Sequence, residues 1–273
     1  MSTDPWQPTR FHRYLECVES STGVARIVTD AGEAYIKALG NREGPHALAR
    51  EWVGTSLAKS FGLRAFEFAM MTLTESDEIQ LGHERKALPG TAFVSKKLNG
   101  HPWSGKAEEL DRLINPEDIF KLVVFDTWIL NVDRYPPTGI DRKPNYDNVF
   151  LSTEGLRNNK LRLIAINHTH CFGSQSELHP LLANIQYVKD ERIHGLFPVF
   201  KSFLSKAQFD DVVTRLSGVT RQTVSEIVDQ IPQDWDVNPN TKESFKTFLC
   251  DRAAFLAAEI ERLLTTAMGN EWG

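Results

Sequence analysis

The 273-residue sequence predicts an α+β protein, with a β-rich first third that carries a single helix and a mainly helical remainder. Three observations support this. Short β-type runs split by Gly-containing turns fill residues 11–39, one helical stretch interrupts the strands between residues 45 and 62, and beyond about residue 98 apolar positions recur at helical spacing. Two units are expected, residues 1–98 and residues 99–273.

Each element has its own justification. Phe11 to Glu19, Val24 to Val28 and Glu33 to Leu39 read as an antiparallel meander, with Asp30-Ala31-Gly32 as a hairpin turn because Gly accepts positive φ. Pro45 to Gly62 reads as a helix with Ala47, Leu48, Trp52, Leu57, Ala58 and Phe61 on its apolar face and Gly62 as its stop. Ala65 to Leu73 and Gly90 to Leu98 are strand-like, and Phe93 to Gly100, including Lys97, reads as the last strand and a hinge. Pro116 to Leu130 is a helix with Phe120, Val123, Val124, Thr127 and Trp128 in the core. It delivers Asn131 and Asp133 to its C-terminal end, where a carboxylate opposes the helix dipole. Tyr135 to Asn145 holds three prolines, a glycine and Arg142-Lys143 and is a loop. Helical segments follow at residues 180–188, 198–204, 206–216, 221–230 and 242–268, the last long and amphipathic.

Composition sets bounds on function. Charged residues make up 25% and the AVILMFWYC set 41%, which is ordinary for a globular protein. A net charge of -5 gives no global attraction to nucleic acid or anionic lipid, so neither is an expected partner. Cys17, Cys171 and Cys250 lie far apart and fit neither a zinc spacing nor a disulfide framework, which points to a reducing cytoplasm. Met1 to Arg10 is polar with two prolines, unlike a secretory core, and no apolar run approaches the roughly 20 residues that span a bilayer.

Three segments between Phe125 and Gly173 carry the chemistry. The first ends an apolar run with Asn131, Asp133 and Arg134. The second, Tyr146 to Leu151, places Asn148 at the head of a β-type run. The third, Leu163 to Gly173, is a buried-looking strand leading into the polar turn Asn167-His168-Thr169-His170. An acid near an attacking hydroxyl, an amide for magnesium and an oxygen ligand at a strand end are the parts phosphoryl transfer needs. Upstream, Lys37 is a cation in an otherwise apolar strand, which an edge position with a snorkelling stem also explains. Glu51 on the first helix is otherwise an ordinary solvated glutamate. Ser20, Ser21, Thr22 and Gly23 are small, polar and able to turn backbone N–H groups toward an anion. His168, His170 and Cys171 invite a zinc reading, which alternation of side chains along a strand disfavours. Arg142, Lys143 and Lys160 put charge near the same region, although solvated loop charges are the usual explanation.

Taken together, Lys37, Glu51, Asn131-x-Asp133-Arg134, Asn148-Val149-Phe150-Leu151 and Ile166-Asn167-His168 resemble the HipA-like kinase family, the bacterial and phage relatives of the HipA toxin kinase. The similarity covers most of residues 10–200 and is strongest from Phe125 to Phe172. It implies a protein-kinase-like bilobal fold with ATP and Mg2+ between the lobes. Asp133 falls on the catalytic aspartate, Asn148 on the magnesium-binding asparagine, Lys37 on the phosphate-binding lysine and Glu51 on its partner. Ser20 to Gly23 fall on the phosphate loop, which in relatives can carry an autophosphorylated serine, and the hinge around Lys97 is placed by its position alone as backbone that could hold an adenine edge. Asn167 departs from the pattern, because the family has a metal-binding aspartate after the isoleucine. An amide oxygen brings no charge to a magnesium site. The chain is then a pseudokinase, a kinase that tolerates the amide, or one carrying an introduced inactivating Asp-to-Asn change. The function implied is transfer of the terminal phosphate of ATP to a protein Ser or Thr by a toxin or defence effector, with an antitoxin as a candidate partner. The alternatives are a nucleotide-binding regulatory module and a kinase for a small molecule or lipid.

Overall fold

Alternation of apolar residues sets the first sheet. A computed structural model describes residues 6–18, 20, 22–82, 84–173 and 177–269. In it β1 (Phe11–Val18), β2 (Val24–Thr29) and β3 (Gly32–Lys37) form the meander, with the two-residue Asp30-Ala31 turn closing β2 onto β3. Ala25, Ile27, Ala34 and Ile36 point to one face and are fully buried. Helix α1 (Pro45–Ser60) intervenes before β4 (Phe68–Leu73), a small hairpin of β5 (Gln80–Gly82) and β6 (Arg85–Lys86), and β7 (Gly90–Lys96). The five-stranded sheet runs β1-β2-β3-β7-β4, antiparallel throughout.

Helix α1 starts with Pro45 at its first turn, where a missing N–H costs nothing, and stops at Gly62, which has a φ of 85°. Its Leu48, Val53 and Leu57 belong to the same core as the helical half of the chain, and Trp52 donates its indole N–H to Ile227 O at 3.2 Å. The helix is thus packed between the sheet and the helical half. This is why Arg50 and Glu51 are buried instead of solvated.

Past β7 the chain changes sheets. β8 (Gly100–Pro102) pairs with β9 (Val149–Ser152), which pairs with β10 (Arg162–Ala165). Around them lie α2 (Ala107–Leu110), α3 (Asp118–Trp128), α4 (Ile185–Val188), α5 (Phe209–Ser217), α6 (Arg221–Val228) and α7 (Pro239–Met268). Asn238 caps α7 by accepting from Thr241 N at 2.9 Å. The architecture is α+β: an antiparallel sheet with one helix, then a mainly helical part.

Three expectations require correction. Residues 180–188 and 198–204 do not form full helices. They give a 3₁₀ turn over Pro180–Ala183, the four-residue α4, and a 3₁₀ segment over Pro198–Phe203. Asn184, extended at ψ 144°, breaks the first stretch. In the second, Phe197 and Phe200 pack on Trp103 and on each other, so aromatic contacts decide the backbone there. Helix α3 ends at Trp128, and Leu130 turns left-handed with a φ of 51°. Asp133 therefore lies beyond the last turn, where the dipole penalty no longer applies. Residues 167–170 form a turn after β10, so strand alternation is not what separates His168 from His170.

Candidate active site

Lys37, the last residue of β3, reaches across to α1 and to the turn after β10. Its Nζ donates to Glu51 Oε2 at 2.7 Å, Thr169 Oγ1 at 3.0 Å and Asn167 Oδ1 at 3.1 Å. Glu51 also accepts the His168 N–H and the Thr169 hydroxyl, both at 2.9 Å. Burial pushes the Glu51 carboxyl up, but the Lys37 cation and these donors hold it down at about 2. It is therefore a charged anchor that ties strand, helix and turn together. Burial drives the His168 imidazole down to about 3 against the pull of Glu51. It is a neutral group whose Nδ1 lies 3.2 Å from Thr55 Oγ1.

From Lys37 the bonding continues in one line. Asn167 Nδ2 donates to Asn148 Oδ1 at 2.6 Å, and Asn148 Nδ2 donates to Asp133 Oδ2 at 2.7 Å. Arg142 Nη1 lies 3.1 Å from Asp133 Oδ1, and Asn145 Nδ2 lies 3.4 Å from Oδ2. Behind this line Asp126 and Arg134 form a fully buried ion pair at 2.7 Å. Arg134 Nη2 also donates to Ile166 O at 3.2 Å, and Asn131 Nδ2 to Asp126 Oδ1 at 2.8 Å. The pair pins the loop of Asp133 to the strand end that presents Asn167. Gly195 makes room for it, because a Cβ there would stand 2.3 Å from Asp126 Oδ2.

Above the line opens a cleft of about 490 Å3, within the range of small-molecule sites. Lys37, Glu51, Asn148 and Asn167 lie at its polar end, and Val18, Val24, Tyr35, Phe66, Phe93 and Phe150 supply apolar wall. Ser20 and Thr22 also line it, although Thr22 is buried and Ser20 Oγ accepts from Val24 N at 3.0 Å. Ser21 lies outside the described residues. Gly23, with a φ of 67°, faces Leu81 on the side where a Cβ would sit, 2.2 Å from Leu81 O. Lys97 is not on the cleft wall either: its Nζ donates to Asn99 Oδ1 at 2.9 Å and its backbone N–H to Glu33 O at 3.0 Å. Asp133 stands behind Asn148, with a side chain that is 17% exposed.

Sequence reasoning gave no role to Thr55, Thr169, Asn145 or Asp126, and it treated Arg142 as a solvated charge. Asp126 had a signal, since an acid inside the apolar face of α3 demands a partner. Thr55 and Thr169 had none, because their partners lie more than a hundred positions away, and Asn145 and Arg142 meet Asp133 only when the proline-rich loop folds back.

The donor set suits a magnesium ion poorly. Mg2+ calls for carboxylate and phosphate oxygens in octahedral array. Here the Asn148 oxygen accepts from Asn167, and the Asn167 oxygen accepts from Lys37. Among the described residues, no cluster of three His, Cys, Asp or Glu side chains could hold a metal. The side chains at this position do not fit Mg2+.

A family model described as HipA-like kinase matches residues 26–265. The chain belongs to the HipA-like kinase family. No curated protein matches this HipA-like kinase. Its fold is similar to the crystal structure of a Helicobacter pylori proinflammatory kinase, CtkA, with a TM-score of 0.59 at 12% identity over 96% of this chain and 99% of that one. Among the described residues of this HipA-like kinase, no helix is long and apolar enough to cross a membrane.

Proposed function

We propose that the cleft binds ATP and that this HipA-like kinase is organised to pass the terminal phosphate to a Ser or Thr hydroxyl of a protein. The observation that supports this most is the convergence of an amine and two amides, Lys37, Asn167 and Asn148, at one edge of a cleft with apolar walls, with the Asp133 carboxylate bonded directly behind Asn148. In this proposal Lys37, oriented by Glu51, neutralises phosphate oxygens. Asp133 orients the hydroxyl and accepts its proton. Asn145, Asn148 and Arg142 hold the Asp133 carboxylate in place. The apolar wall takes the base of the nucleotide and excludes water, and no step is assigned to a metal.

A second function, a nucleotide-binding regulatory module, is favoured by one observation: Asn167 stands where the family pattern has an acid. Phosphate transfer from labelled ATP to protein, compared between the wild type and Asn167→Asp under magnesium and under manganese, separates the two. Transfer by the wild type, raised in the Asp variant, is expected; transfer by the Asp variant alone would favour the regulatory module. A folded Asp variant that neither binds nor hydrolyses ATP under any of these conditions rules out phosphotransfer.

A further inference from the structure

We propose that the Asn167 amide takes the place of a divalent cation, so that this chain takes up a nucleoside triphosphate as the metal-free anion. The proposal rests on ATP binding in the cleft and goes beyond it, because it names the ionic form that enters.

The orientation of each amide is fixed by its neighbours. An asparagine has one acceptor oxygen and one donor N–H2 group. Asn167 turns its oxygen to the Lys37 ammonium at 3.1 Å, because a flipped amide would set N–H against N–H. Its N–H2 group therefore faces Asn148 Oδ1, 2.6 Å away. Asn148 is fixed from the other side, since its N–H2 group must face the acceptor Asp133 Oδ2 at 2.7 Å. A cation at one end and an anion at the other thus polarise both amides in the same sense, which makes the line self-consistent and cooperative.

An aspartate at position 167 could not complete this line. It would set a second acceptor oxygen against Asn148 Oδ1 at about the same 2.6 Å, and two acceptors that close require a cation between them. In a chain with the acid, a divalent ion meets that demand and brings its charge to the phosphates. Here the N–H2 group of Asn167 meets it from within the protein. The amide also removes one negative charge from the polar end of the cleft, which lowers the repulsion a triphosphate meets when no metal accompanies it. The two changes have one origin and act in the same direction.

Calorimetric titration of the full chain with ATP, in excess EDTA and in excess magnesium chloride, tests this. The wild type is expected to bind ATP in EDTA with an affinity within about threefold of that in magnesium, and Asn167→Asp to bind at least about tenfold tighter with magnesium than without. Thermal unfolding without nucleotide gives a second readout: magnesium should raise the Tm of Asn167→Asp and leave the wild type unchanged. Wild-type binding that disappears in EDTA and returns with magnesium would overturn the proposal while leaving ATP binding intact. No binding in either buffer would remove ATP binding itself, and the proposal with it. The two wild-type titrations need no variant, so the result stands even if the Asp variant fails to fold.

Discussion

Replacing Glu51 with Gln removes a charge and almost no volume, which isolates the electrostatic part of the Lys37 anchor. The Gln oxygen can still accept from His168 N and Thr169 Oγ1, so what is lost is the pairing with Lys37 at 2.7 Å. The folded Glu51 carboxyl sits at about 2 against an ordinary 4.5. At about 1.36 kcal/mol per unit this corresponds to roughly 3 kcal/mol of folding stability at neutral pH. The cost of breaking a buried ion pair, about 3–5 kcal/mol, is similar, and Lys37 and Glu51 side chains are only 12% and 5% exposed. The sign follows from the depressed pKa. The contribution is complete above the unfolded value, near pH 4.5, and is lost as pH falls toward 2, so at about pH 3 less than half of it remains. Urea unfolding of both proteins should show a gap of roughly 3 kcal/mol at pH 7 that narrows to under half at about pH 3. A gap below about 1 kcal/mol at pH 7, the level of a surface pair, or one that does not change with pH, would refute the assignment of Glu51 as a charged anchor.

Other perturbations follow from the same geometry. Burial holds the imidazoles of His168 and His194 down at about 3 and about 4, so the unfolded chain takes up protons first as pH falls below about 6.5. Wild-type stability should therefore drop by about 1.4 kcal/mol per pH unit for each histidine below that point; a flat urea midpoint between pH 7 and pH 5 would contradict it. A Cβ on Gly54 of α1 would stand 2.3 Å from His168 Cβ. Gly54→Ala should cost about 1–3 kcal/mol or more by overpacking, and unchanged stability in urea would show that α1 and the turn can part freely. In the Asn167→Asp background, Asp133→Asn should lower phosphate transfer by about 10²–10⁴-fold with ATP affinity retained, since Asp133 stands behind Asn148 and not on the cleft wall; equal transfer would remove it as the proton acceptor.

The parts of this protein legible in its sequence are those where a residue conflicts with its surroundings. A lysine at the end of an apolar strand and an Asn-x-Asp-Arg cluster closing an apolar helix stand out because burial of a charge requires a partner, and the structure brings these residues to one line of bonds. The meander was legible because period-two burial and a Gly-containing turn agree locally. What was not legible depends on distant partners. Thr169 looks like any turn threonine until Lys37 and Glu51 arrive from residues more than a hundred positions away. Arg142 looks solvated until the proline-rich loop folds back on Asp133. The segments at 180–188 and 198–204 have helical composition, but Asn184 and the stack of Phe197, Phe200 and Trp103 cut them short, and that packing is invisible to a local pattern.

Arg252, fully buried on α7, donates to the backbone carbonyls of Thr127 and Trp128 at the end of α3, and to those of Tyr187, Val188 and Asp190. These carbonyls gather around one guanidinium that lies more than a hundred positions further along the chain than α3. The segment that carries Asp133 thus takes part of its support from α7, so a chain cut before residue 252 would hold the reactive loop without that anchor.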